Sequence, residues 1–244
     1  MTVSRDVRSW DGLLVELEKQ RQFMDMLTRS LVTGYESRGG RIYCAKGCSG
    51  CCSLVVNCAL TEAVAVAATL DERQAALVDA YVDRLQGLVA GAADLKEYLR
   101  LHRQSSGGCP LLGKDGSCGI YGVRPLSCRA LLSTRESRWC SADFAALTHE
   151  EKQAFVEGLD REAVAFPMHY LASSRDAGAE LENRLSMLTA LAFGFSIYGN
   201  MPVLVHLVKR HDLARVAAEG RSAVEALLAA AGLDSPLVLQ VNGI

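Results

Sequence analysis

Five cysteines stand within fifteen residues in RIYCAKGCSGCCSLVVNC, Arg41 to Cys58, and two of them are adjacent. No other stretch restricts the fold as strongly. The spacing Cys44-x3-Cys48-x2-Cys51-Cys52 lets one turn of backbone aim several thiolates at a point, the convergence that a soft metal or an iron–sulfur cluster requires. Gly47 and Gly50 sit between the candidate ligands, where backbone freedom and close approach help. A second group, Cys109-x8-Cys118-x9-Cys128, follows, with Cys140 further out. These spacings are too long for a knuckle alone, so a loop folding back over the first cluster is needed to deliver the sulfurs.

Composition narrows the chemistry. The 244 residues are half hydrophobic and 22% charged, a globular composition with enough length to bury a core. A net charge of −2 with scattered basic residues offers no electrostatic footprint for nucleic acid or an anionic membrane. The opening MTVSRDVRSWDGLL lacks the apolar run of a secretory signal. Nine cysteines without a signal imply a reducing, cytoplasmic setting, where ligation or reactivity prevails over disulfides. The odd number also does not suit a closed disulfide framework.

Leu185 to Val208, LSMLTALAFGFSIYGNMPVLVHLV, contains no Asp, Glu, Lys or Arg. Its length admits a spanning helix of about 20 residues. The turn-forming YGNMP and Pro202 favour two buried helices joined at a turn instead.

Elsewhere the pattern is helical. Trp10, Leu13, Leu14, Leu17, Met24, Leu27 and Leu31 form a stripe that Gly39-Gly40 ends. LTEAVAVAATL reads as a buried helix, and another begins at Asp71 with Leu77, Val78, Tyr81, Leu85 and Leu88 on one face. Arg103 to Arg129 is rich in Gly, Ser and Pro and reads as irregular, with a short hairpin at Lys114-Asp115-Gly116. Thr148 to Glu151 and Ser222 to Glu225 have capping-box spacing, and Gly232 marks a helix stop. The expectation is a mainly α protein: a single helical domain whose irregular, cysteine-rich metal-binding core is formed by two loops. Its parts are an N-terminal helix (1–39), a cysteine core with two intervening helices (40–147) and a C-terminal helical region (148–244).

One tetrahedral zinc takes four ligands, and two sharing a thiolate take about seven. Cys44, Cys48, Cys51, Cys52, Cys109, Cys118 and Cys128 also number seven. A [4Fe–4S] cluster on four thiolates, with the others structural or regulatory, is the alternative. Adjacent Cys51 and Cys52 point their side chains differently, which suits more than one metal or a multinuclear cluster. Glu62 could ligate a metal or act as a base, but a carboxylate in a first helical turn is favourable to the helix dipole, and that reading is preferred. His102, His149, His169, His206 and His211 are dispersed and show no short metal-binding spacing.

Three pieces together resemble the YkgJ family of cysteine-cluster proteins, described as zinc- or iron-chelating domains: CAKGCSGCC (Cys44 to Cys52), LTEAVAVA, and CPLLGKDGSCGIYGVRPLSCR (Cys109 to Arg129). The resemblance spans positions 44 to 129 and implies that the seven cysteines are metal ligands. Cys58 and Cys140 fall outside its pattern and read as small buried apolar residues. Tyr121, Arg124 and Arg129 match its closing motif. They stand as cofactor-binding residues, the two guanidinium groups offsetting thiolate charge and donating hydrogen bonds to sulfur; the alternative is that Arg124-Pro125 simply fixes the loop by pairing with a carboxylate.

The implied cofactor is an iron–sulfur cluster or iron, with zinc as the alternative. The family shares its cluster with flagellin lysine methylases, so the resemblance also admits an iron–sulfur-dependent methyl-transferring enzyme, although no S-adenosylmethionine motif stands in the chain. A metal chaperone or thiol redox sensor is a third possibility. The sequence names no protein partner or substrate.

Overall fold

The N-terminal stripe folds as α1 (Trp10–Glu36), with the Ser9 Oγ accepting the Gly12 N–H at 3.2 Å as its cap. Leu13, Leu17 and Met24 on this stripe are fully buried. The structure is a computed structural model that describes residues 9–45 and 47–243. The start of the N-terminal segment (1–8) and Lys46 in the first cysteine stretch lie outside the described residues.

A 3-10 turn at Gly50–Ser53 carries the adjacent cysteines and leads into β1 (Asn57–Ala59) and α2 (Leu60–Thr69). Next come α3 (Glu72–Gly91) and α4 (Leu95–Ser105). The irregular stretch holds a second 3-10 turn, Tyr121–Val123, and ends in α5 (Leu126–Ala130). After it follow α6 (Ser137–Ser141), α7 (His149–Glu157), α8 (Ala172–Phe193), β2 (Phe195–Asn200), α9 (Met201–His211), α10 (Leu213–Glu219), α11 (Arg221–Ala231) and β3 (Leu239–Gly243). The chain is therefore mainly α, as its periodicity implies.

The expected pair of helices joined at YGNMP is corrected. Gly194 at φ 86° closes α8 in the left-handed region, and FSIYGN continues as the central strand of a small antiparallel sheet ordered β1-β2-β3. Asn57 pairs with Asn200 on one side of β2, and Phe195 with Gly243 on the other. A side chain at Gly199 would stand 2.4 Å from the Val238 carbonyl oxygen, so the apparent turn glycine is a close-packing residue within a sheet. The sheet joins the cysteine-bearing first half of the chain to its C-terminal part. No described helix is long and apolar enough to cross a membrane.

Three smaller expectations also change. Leu77 is 47% exposed on α3, whereas Val78, Tyr81 and Leu85 are buried. A third helix, α4, precedes the second cysteine group and runs to Ser105, past the expected start of the irregular stretch. Ser222 lies inside α11, whose first residue is Arg221, and Glu225 pairs with the Arg221 Nε at 2.7 Å instead of capping. The Thr148–Glu151 box forms in both directions, and Gly232 ends α11. The 114–116 hairpin also forms, closed by a Leu112–Cys118 antiparallel bridge.

The main core lies where α9 packs against α2 and α3, with Val66, Val78, Leu85, Leu204 and Leu207 buried together. A smaller cluster of Met24, Leu126 and Ala130 fixes the short α5 against α1 and α8. At Gly178 of α8 an added Cβ would lie 2.5 Å from the Ala130 Cβ, and that contact cannot relax by a rotamer change. Gly178→Leu is therefore expected to lower the unfolding free energy by about 3 kcal/mol in urea titration. Gly87→Ala, at an exposed position on α3 with open space around it, is expected to raise it by up to about 1 kcal/mol.

Candidate metal centre

All nine cysteines are free, and the seven candidate ligands stand on four segments. Cys44 follows α1, and its sulfur accepts the Ser133 N–H at 3.2 Å. The preceding residue is held to the same segment, since the Tyr43 N–H donates to the Ser133 carbonyl at 2.9 Å. The first loop turns at Cys48, whose N–H donates to Ala45 O, and then enters the 3-10 turn of Cys51 and Cys52. The second loop is bonded directly onto the first: the Cys109 N–H donates to the Cys52 carbonyl at 2.8 Å. Hydrogen bonds from Leu112 N–H to Cys109 O and Gly119 N–H to Leu111 O fold this loop back, which brings Cys118 toward Cys109. Cys128 stands on α5.

Cys51 is the shared neighbour. Ionised, it would repel charge on Cys44, Cys109, Cys128 and Cys140. Its own thiol titrates far above the ordinary range because it hydrogen-bonds the Cys52 side chain and is buried. Desolvation by the surrounding protein pushes Cys109 and the more exposed Cys44 up to about 11 and moves Cys128 further in the same direction. These thiols are neutral at pH 7 until something displaces their protons. Among the described residues, no three His, Cys, Asp or Glu side chains form a group that could hold a metal ion. The sulfurs therefore share a region without forming a closed coordination cage.

The arginines of the closing motif have different surroundings. The Arg124 guanidinium stacks 4.1 Å from the Tyr121 ring centroid and lowers the thiol pKa of Cys51 and Cys128. Its buried Nε has no hydrogen-bond partner among the described residues. Tyr121 itself is half exposed. Arg129 is buried and occupied elsewhere, pairing with Asp25 of α1 at 2.6 Å and donating to the carbonyls of Arg124 and Gly122. Glu62 is fully buried and accepts the Ala59 N–H at 3.1 Å and the Leu126 N–H at 2.8 Å. It ties the start of α2 to the start of α5, which extends its expected role in the first helical turn. Cys58 is fully buried in the hydrophobic core on β1.

Several supporting residues carry no signal in the sequence. Arg21 of α1 donates to the Val123 carbonyl at 2.7 Å and lies in the field of Glu62. Behind Cys109, the Ser106 Oγ accepts the Gly108 N–H at 3.3 Å and contacts His102, which meets the Tyr81 hydroxyl at 2.7 Å. Burial lowers the His102 pKa to about 4, which keeps this relay uncharged. Glu182 of α8 receives the Tyr198 hydroxyl at 3.3 Å on one oxygen, while the other is buried without a partner among the described residues. A short-range spacing search does not find Arg21, Tyr81 or Glu182, whose partners lie 102, 21 and 16 positions away.

With this geometry in place, comparison with known proteins gives one match. The family model CxxCxxCC, described as "Putative zinc- or iron-chelating domain", matches residues 43–154. No curated protein and no solved structure matches the chain.

Burial, reinforced by the charge of Glu62, raises the Glu182 carboxyl from 4.5 to about 8. The folded state thus holds this proton more tightly than the unfolded chain does. Its stabilisation is complete below about pH 4.5 and is lost as pH rises through about 8. Urea midpoints of reduced, chelator-treated protein should fall between pH 5 and 8, and Glu182→Gln should fall less. Equal slopes would refute this assignment.

Proposed function

Residues 43–154 form a domain of the YkgJ-type CxxCxxCC family, and from that premise we propose that the protein holds a metal centre on the thiolates of Cys44, Cys48, Cys51, Cys52, Cys109, Cys118 and Cys128. The single observation that supports this reading best is the backbone bond from Cys109 to Cys52. It joins the two cysteine loops at the ligands themselves, across a gap of 57 positions in the chain.

The donor set fits zinc or iron. Both accept thiolate sulfur, and neither is served by the hard oxygen ligands of a magnesium or calcium site. An iron–sulfur cluster is the proposed occupant, with zinc as the alternative. Bound iron and sulfide would supply one-electron redox chemistry, whereas zinc would crosslink the loops. In either case the chain's own residues have defined tasks. The Ser133 N–H donates to the Cys44 sulfur, and Arg124 faces Cys51 and Cys128 with positive charge. Both features offset the accumulated charge of ionised sulfurs. Tyr121 holds the Arg124 guanidinium in place, and Arg129 braces the loop through Asp25. Because binding requires thiolates, metal uptake releases protons and draws the sulfurs together. A reducing cytoplasm is the setting in which such thiols persist.

Protein purified without oxygen is expected to be brown and to contain iron with matching acid-labile sulfide. A colourless protein holding zinc would overturn the cluster while keeping the thiolate site. Cys48→Ser is expected to lose most of the metal and Cys58→Ser to retain it, by elemental analysis of both proteins. Equal loss from the two would overturn the proposed ligand set.

A further inference from the structure

Cys140 reads as a small core residue in the sequence, but its position ties it to the metal centre. It lies on α6, which packs on the 3-10 turn carrying Cys51 and Cys52. At Gly50 in that turn an added Cβ would meet the Ser137 carbonyl at 2.6 Å and the Cys140 Cβ at 3.0 Å, so only glycine lets α6 come this close. Charge on Cys48 and on Cys51 is felt at Cys140. The Cys140 sulfur lies 3.4 Å from Nε2 of His169, and both residues are more than nine-tenths buried.

The placement of His169 is fixed by backbone contacts. The Thr134 N–H and hydroxyl both donate to its carbonyl, at 2.9 and 3.0 Å, and Ser133 bridges Tyr170 in antiparallel fashion. The segment that presents Ser133 N–H to the Cys44 sulfur is therefore the one that holds His169. Phe155 and Tyr170 confine the imidazole ring on its flanks.

We propose that Cys140 and His169 are a thiolate–imidazole ligand pair for the same metal centre. This rests on the thiolate reading above and extends it to a nitrogen donor outside the matched segment 43–154. Tetrahedral bonds of 2.3 Å to sulfur and about 2.05 Å to nitrogen set the two donor atoms about 3.6 Å apart. The observed 3.4 Å is close to that separation. On binding a hydrated divalent ion, Cys140 releases its thiol proton to solvent, Nε2 of His169 gives its lone pair while Nδ1 keeps the ring proton, and two waters leave the metal. The competing description is a thiol satisfied within the fold by His169, Tyr170 and Ser133, with no metal in contact.

The experiment uses full-length, reduced, metal-free protein with Zn(II) and, separately, Co(II). Wild type is expected to bind Zn(II) in competition with a chromogenic chelator, and its Co(II) complex to show thiolate charge-transfer bands. Cys140→Ser and His169→Gln are each expected to weaken Zn(II) binding at least about tenfold and to change the Co(II) spectrum. Imidazole-¹⁵N NMR of wild type gives an arm that does not depend on a variant folding: Zn(II) should move the Nε2 resonance of one of the five histidines, the one absent from His169→Gln. Zn(II) uptake by wild type with no shifted histidine and unchanged affinity in both variants would overturn the pair while leaving the seven-cysteine site standing. Failure of wild type to take up either metal would overturn the pair, and failure also to form a cluster with Fe(II) and sulfide under anaerobic conditions would overturn the thiolate reading.

Discussion

The arrangement of the cysteine loops depends on one buried carboxylate. Glu62 has no solvent exposure, and its two oxygens accept backbone N–H groups from Ala59, just after the first cysteine stretch, and from Leu126, which opens the helix bearing Cys128. Burying a charge is costly unless partners compensate, and burial accordingly raises the pKa of Glu62. The two N–H donors and the positive charges of Arg21 and Arg129 act in the opposite direction. Hydrogen bonds to charged groups contribute roughly 1.5–3 kcal/mol each, and an N–H left unpaired in the interior costs a similar amount. Without this carboxylate, two helix starts would carry orphaned donors and the relative position of the two loops would be less tightly set.

The same logic draws α1 and α8 into the centre, although neither contributes a thiol. Arg21 and Asp25, four apart on α1, present adjacent groups to the closing loop: one reaches the Val123 carbonyl and the other pairs with Arg129. Glu182 on α8 lies near Glu62, and two carboxylates in one apolar region cannot readily both ionise. That repulsion adds to burial in raising the pKa of Glu182, while Glu62 is the largest favourable charge acting on the Arg21 guanidinium. A matched segment that begins at residue 43 therefore depends on a helix that precedes it and on another that follows it.

Much of this was legible in the sequence because it is local. Cysteine spacing, the α1 stripe, the Thr148 cap and the 114–116 turn each concern residues within a few positions, where one turn of backbone decides the outcome. The errors came where tertiary packing overrides a local signal. YGN carries turn-forming residues, yet pairing with strands from both ends of the chain makes it the middle of a sheet. Ser222 and Glu225 have capping spacing, yet the helix begins one residue earlier and turns Glu225 into an ion-pair partner. Histidine spacing along one helix carries no sign of His169, which meets Cys140 across 29 positions. Arg21 and Glu182 look like ordinary polar residues on amphipathic helices, and only the tertiary fold brings them to Val123 and Tyr198.

A site with this many thiols faces an electrostatic problem that the fold solves in two stages. Several of the thiols titrate well above neutral pH through burial and, at Cys51, through its contact with Cys52, and repulsion among ionised sulfurs adds to this. As neutral groups they can be gathered by backbone hydrogen bonds alone, of which Cys109 to Cys52 and Tyr43 to Ser133 are the clearest. This gathering spends conformational entropy during folding, so less remains to be lost when a metal arrives. Ionisation then becomes favourable only with a cation present, which makes the sulfurs' charge and the metal's binding a single coupled event. In the proposed centre, placement of the sulfurs, which the helices and the Glu62 link achieve, is thus separate from their activation, which is left to the metal.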